Sequence, residues 1–282
     1  MRRATLFLVA ACFVLLAAPA GAQPALEPRI TGNELVAKIQ LPGGIEAELS
    51  IQFEQIVGLN PDSLALSAAL VDPLDPALVA RLPEGGLVGI PAGFPVLVRI
   101  EPTASSALSF SGVSKVSIYT HNLVLGAHSP LRLFKAPQGS GAFQDITGFL
   151  EMGSVRAGGG TGAYSDFIIV TDTRPADAVI ASKFDAIQNA LTANAGAIPS
   201  PVLQDLQGRL TNARGLYEAG ALSAAINAVD AFAEELKRQS GAAIPDVYRA
   251  NSTLVNVAGL LRASADTLKF SLQMKSNQPA LP

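Results

Sequence analysis

The chain changes character once, at Arg174-Pro175, and that change limits its fold more than any single motif does. Ahead of it apolar residues alternate with polar ones. Beyond it they recur every three or four positions. Alternation buries one face of a strand, whereas a three-four spacing buries one stripe of a helix. The clearest strand is Ile45 to Phe53, with Ile45, Ala47, Leu49, Ile51 and Phe53 on one face and Glu46, Glu48, Ser50 and Gln52 on the other. Leu35 to Leu41 precedes it, and Pro42-Gly43-Gly44 supplies the turn of a hairpin. Shorter alternating runs follow at Val96–Ile100, Lys115–Thr120, Leu131–Lys135, Phe143–Thr147, Gly153–Arg156 and Tyr164–Val170. Many short strands with Gly- and Pro-rich links predict an antiparallel β-sandwich. Pro73, Pro76, Pro83, Pro91 and Pro95 make 72–95 a long, mostly irregular connection.

The second half reads as four helices. Ile180, Phe184, Ile187 and Leu191 form the first seam. Ser200-Pro201 opens the second helix, whose seam is Leu203, Leu206, Leu210, Ala213 and Tyr217, and Gly220 stops it. Leu222, Ile226, Val229, Ala233 and Leu236 form the third seam, ended near Gly241. Pro245 opens a long last helix with Val247, Asn251, Leu254, Ala258, Leu261, Ala265, Leu268 and Leu272 inward. Short loops between such seams predict an antiparallel bundle. The expected fold is therefore α+β in two segregated domains: an antiparallel β-sandwich over 23–174, then a bundle of about four helices over 175–282.

Residues 1–22 read as a secretory signal peptide. Arg2-Arg3 gives a positive start, Leu6 to Ala18 is apolar, and Ala20-Gly21-Ala22 places small residues ahead of a cut before Gln23. The apolar run is shorter than the roughly 18 residues of a membrane-spanning helix. Val9-Ala10-Ala11-Cys12 resembles a lipoprotein signal, but the residues after Cys12 stay apolar where such signals turn polar. Of the chain's 20 Lys and Arg, Arg2 and Arg3 leave with the signal, so 18 basic residues face 23 acidic ones, a formal charge of −5. That balance argues against a nucleic-acid partner. Cys12 is the only cysteine, so the mature chain has no disulfide and no thiol chemistry.

A search for chemistry finds little. There is no G-x-S-x-G and no S-x-x-K. His121 and His128 are the only histidines, and they read as a strand-end and a loop residue rather than zinc ligands. Gly158-Gly159-Gly160-Thr161-Gly162 lacks the Lys-Ser/Thr of a phosphate loop and reads as a hairpin loop. Asp72, Asp75, Asp166 and Asp172 do not form a spaced calcium loop. Tyr119, Phe134 and Tyr164 are the aromatics on which a sugar would stack, in a chain without Trp. Asn251-Ser252-Thr253 matches a glycosylation sequon but falls inside the predicted last helix.

Two stretches carry a family resemblance. Leu131 to Lys135, Phe143 to Thr147 and Tyr164 to Val170 resemble the closing strands of sandwich domains of secreted bacterial proteins. Leu206 to Ser240, with Tyr217-Glu218-Ala219-Gly220 and Ala225 to Phe232, is similar to the FIMAH-type helical module. Together they resemble an uncharacterised family of exported bacterial proteins. Related ZU5 and GAIN sandwiches cleave themselves at a His-x-Ser or His-x-Thr site. Here the matching tripeptide is Ala163-Tyr164-Ser165, and without the histidine self-cleavage is not expected.

The expectation is a secreted or periplasmic, non-enzymatic binding or structural protein. No residue is assigned to catalysis, a metal or a cofactor. Its partner would be an envelope or extracellular protein or polysaccharide, and no integral membrane segment remains after signal cleavage. The alternative is a secreted hydrolase of an extracellular polymer, using carboxylate catalysts brought together by the fold.

Overall fold

The computed structural model describes residues 26–277, apart from Gly85, Ala104, Ala127, His128, Met152, Asn251 and Thr253. The signal-peptide reading, and the readings of His128 and Asn251, therefore lie outside the described residues.

In chain order the elements are β1 (Pro28–Thr31), β2 (Glu34–Leu41), β3 (Ile45–Val57), β4 (Leu64–Leu70), α1 (Pro76–Val79), β5 (Val88–Gly89), β6 (Val96–Pro102), β7 (Ser109–Leu125), β8 (Leu131–Ala136), β9 (Gln144–Asp145), β10 (Phe149–Glu151), β11 (Gly153–Thr161) and β12 (Asp166–Asp172). The second half contributes α2 (Ala176–Ala193), α3 (Ser200–Glu218), α4 (Leu222–Gln239), β13 (Val247–Arg249) and α5 (Val257–Ser276).

Every pair in both sheets is antiparallel. One sheet has the order β1-β2-β3-β7-β11-β10, with β13 added to β7; the other has the order β4-β6-β12-β8-β9, with β5 added to β12. The hairpin at Pro42-Gly43-Gly44 forms as its residues require, with Gly43 and Gly44 at φ of 79° and 75°. Alternation sends Leu35, Ile39, Leu49, Ile51, Val116 and Ile118 of the first sheet inward against Val98, Ile100, Leu133, Phe167 and Ile169 of the second. All are fully buried, which makes the α+β fold a sandwich followed by helices.

The second sheet is buried on its other face too. Leu78 of α1, Leu82, Val88 and Ile90 cover Phe134, Ile168 and Val170. The proline-rich connection is thus a cover held down by apolar contacts, which is why β12 is apolar on both faces.

The helical half has its own apolar core, in which Ile180, Phe184, Ile187 and Leu191 of α2 meet Leu206, Leu210, Val229, Phe232, Leu261 and Leu268. The last helix departs from the sequence expectation. Val247–Arg249 is a strand paired with Ser109–Ser111 of β7, and Tyr248 stacks on Phe110 at 4.9 Å. The helix starts at Val257, where the Asn256 side chain accepts from Gly259 N (2.8 Å) and donates to Gly112 O (2.6 Å). A side-chain cap that also reaches the neighbouring strand fixes that start more firmly than the proline at 245.

The Gly158–Gly162 run corrects a second expectation. Gly158, Gly159 and Gly160 are strand residues of β11, paired with Ser117, Val116 and Lys115. A Cβ on Gly159 would lie 1.7 Å from Ile146 O, and one on Gly162 would lie 2.7 Å from Leu260 N. The run is bare because backbone from the β9–β10 link and from α5 lies directly upon it.

Candidate functional site

The helices dock on the sandwich through α5, which lies over β7 and β11, and through α2. On one side Arg262 makes a two-pronged ion pair with Glu54, at 2.8 and 2.7 Å. On the other, Lys183 of α2 meets Asp145 of β9 at 2.7 Å, both side chains being almost fully buried. Lys183 Nζ also donates to Thr267 Oγ1 (2.6 Å) and Ser271 Oγ (2.8 Å), while Asp145 Oδ1 accepts from Thr147 N at 2.8 Å. Burial works against the Asp145 charge. The Lys183 ammonium and the Thr147 bonds outweigh it and hold the carboxyl below its ordinary range.

Between these contacts lies a cavity of about 550 Å³. Its charged lining is Lys135, Lys183, Arg174 and Asp145. Two of the three cations are already answered: Lys183 by Asp145, and Arg174 by Asp172 through bonds of 2.9 and 2.8 Å. Lys135 differs. It shares the inward parity of Leu131 and Leu133 on β8, so its stem runs inward toward Thr161 at the end of β11. Its ammonium donates to Thr161 Oγ1 and Ala163 O, both at 2.7 Å, and meets no carboxylate among the described residues. Burial without a counter-charge pushes the Lys135 ammonium down to about 8.

Of the residues singled out from sequence, Gly160, Thr161, Gly162, Ala163 and Ser165 line this cavity, and the others lie elsewhere. Asp166 and Asp172 stand at opposite ends of β12, each tied to arginine: Asp166 to Arg81 and Arg99, Asp172 to Arg174. Asp75 caps α1 by accepting from Ala77 N, and Asp72 accepts from Leu74 N. Phe134 is fully buried, and Tyr164 packs among Phe53, Phe110 and Tyr248 with its hydroxyl 2.8 Å from Ser114 Oγ. Neither offers a ring to a sugar. Tyr119 stays on the outer face of the first sheet, with the Arg156 guanidinium over its ring at 4.8 Å. His121, at the end of that face, has Ser154 Oγ 2.7 Å from Nδ1 and Tyr119 OH 3.1 Å from Nε2. This serine–histidine contact is exposed and sits on an open sheet surface.

Lys135, Asp145, Lys183 and Asn256 were missed in the sequence, yet two of them leave a trace. Lys135 breaks the inward series Leu131, Leu133, and Lys183 interrupts the stripe Ile180, Phe184, Ile187 one turn from its ends. A lysine at an inward position needs an acceptor there. Asp145 follows no such pattern.

Two face-to-face antiparallel sheets, with helices docked over β7 and β11 and a cavity at the junction, define an α+β protein built around a junction rather than a motif. The chain belongs to DUF6689, a family of unknown function whose profile matches residues 10–276. No curated protein and no solved structure matches it. No helix among the described residues is long and apolar enough to cross a membrane.

Proposed function

We propose that the protein is exported after removal of residues 1–22 and serves as a non-enzymatic binding protein of the bacterial envelope or exterior, with its ligand site in the cavity between sandwich and helices. The observation that carries this reading is the cavity itself. Its size is that of a small-molecule site, and apolar walls surround a few fixed polar groups. The hydrolase alternative calls for two acids placed across a scissile bond. Asp145 is the one acid in the described lining, and Lys183 holds it as an ion pair. An arrangement of bonded pairs around a space favours holding a ligand over reacting with it.

Two experiments test the reading. Mass spectrometry of the exported protein should find a chain starting at Gln23; a chain retaining Met1, or a lipid on Cys12, contradicts export by this route. The neutral dye N-phenyl-1-naphthylamine should bind the mature protein saturably at one site, and Ala186→Trp, which fills the cavity from α2, should abolish that binding. Dye binding that is absent, or unchanged in Ala186→Trp, contradicts the cavity as the site.

A further inference from the structure

Charge and shape at the junction say more about the ligand. The lining brings together three cations and one acid, yet Arg174 and Lys183 are each occupied by their own aspartate. Lys135 alone keeps an unanswered charge. An ammonium has three protons to give, and two go to Thr161 Oγ1 and Ala163 O. No acceptor among the described residues takes the third. The hydroxyls nearby are spent as donors within the protein: Ser264 donates to Leu260 O, Ser182 to Val179 O and Thr267 to Thr147 O. Besides these polar groups and Gln144 and Ser165, the lining is apolar, with Pro83, Pro137, Phe143, Ile146, Leu260 and Ala263.

We infer that the cavity binds a small organic monocarboxylate, its carboxylate against Lys135 Nζ and its apolar body along Phe143, Ile146 and Leu260. The inference rests on the cavity being the ligand site. A single unpaired cation calls for a single negative charge: a dianion would bring a second charge into a desolvated space with nothing to meet it. The apolar walls call for a carbon chain or ring behind that charge, since an inorganic anion would leave them without contact. The volume, about 550 Å³, lies within the range that takes an organic acid of moderate size. Lys135 is charged at neutral pH and buried without a counter-ion, so a carboxylate reaching it relieves an existing electrostatic cost.

The test uses three probes of equal chain length, octanoate, octan-1-ol and octylamine, titrated calorimetrically into the mature protein and into Lys135→Met, with circular dichroism confirming that the variant folds. Octanoate should bind the parent protein at least about tenfold more tightly than octan-1-ol and tighter still than octylamine, as a charge-assisted hydrogen bond in a dry site implies. Lys135→Met should remove that preference, weakening octanoate while leaving octan-1-ol within about twofold. Equal binding of octanoate and octan-1-ol, or octanoate binding that survives Lys135→Met, overturns the monocarboxylate inference and leaves the cavity as an apolar ligand site. Binding of none of the three overturns the inference; loss of the neutral dye's site as well brings down the cavity reading itself.

Discussion

The space between the two sheets and the space between sheets and helices are built from opposite materials. Between the sheets, Leu35, Ile39, Leu49, Ile51, Val98, Ile100, Val116, Ile118, Leu133, Phe167 and Ile169 are fully buried and carry no polar group. Between sheets and helices, the contacts include the Lys183–Asp145 pair, the Thr267–Thr147 bond, the Asn256 cap on Gly112, the Arg262–Glu54 pair and a strand of glycines. Apolar contact is non-directional and scales with area, so the first interface supplies bulk stability. Hydrogen bonds and ion pairs form in one geometry, so the second selects a single docking of α2 and α5 and leaves room for a cavity. A protein that only needed to join its halves would gain more from packing the junction like the sandwich interior.

The largest test of that contrast is Lys183→Met. It leaves Asp145 buried without its partner, and about 3–5 kcal/mol of unfolding free energy should be lost, measured by urea titration followed by circular dichroism. A loss below about 1 kcal/mol, the scale of a surface pair, would show that the junction is wet and the contrast false. Gly159→Ala comes next. Its Cβ would meet Ile146 O, a backbone atom that moves only with the β9–β10 link, so a cost of about 1–3 kcal/mol is expected. A neutral result would mean that this link does not rest on β11.

Lys135→Met should act in the opposite direction. The folded ammonium sits near 8 against an ordinary 10.5, so between those values the unfolded chain holds a proton that the folded one has lost. Stability of the parent protein therefore rises with pH from about 8 toward 10, relative to the variant, and the full cost of the buried charge, of the order of 3 kcal/mol, is present below pH 8. The bonds to Thr161 and Ala163 offset part of it, so Lys135→Met should gain about 1–2 kcal/mol at pH 7. A variant that loses stability at pH 7 would mark Lys135 as a structural tie. Arg262→Ala is the smallest change. Glu54 is partly exposed, and although burial works against its charge, Arg262 holds its carboxyl below the ordinary range, so the loss should stay near 1 kcal/mol and shrink in salt.

The two interfaces also differ in how far they could be read from the sequence. Most of the sandwich interior and the seams of α2 and α3 follow from period alone, because each residue's inward or outward position is fixed by its own element, although β4, which buries Leu64, Leu66 and Ala68, is not among the strands expected from the sequence. In α4 the same pattern placed Val229 and Leu236 inward but passed over Phe232, which is fully buried beside them. The junction depends on residues far apart in the chain. Gly158–Gly162 reads locally as a turn because glycine favours turns, while its actual neighbours, Ile146, Leu260 and Ala263, are not adjacent in sequence. Val247–Arg249 is too short to declare itself a strand, and only the exposed edge of β7 at Ser109–Ser111 makes it one. Asp145 gives no sign of its partner, and Lys183, though it interrupts the α2 stripe, becomes half of a buried pair only once α2 is laid on β9. What was legible of the cavity is the inward position of Lys135 and of Lys183.

The most direct test of the account is the titration of that lysine by NMR in protein carrying ¹³C-labelled lysine side chains, with the signal assigned by its absence in Lys135→Met. Lys135 should titrate near 8 in the free protein and move upward when octanoate is added, because an anion at its Nζ favours the charged form. A Lys135 signal titrating near the ordinary lysine value, or one that octanoate leaves unmoved, would contradict an unanswered buried cation waiting for a carboxylate.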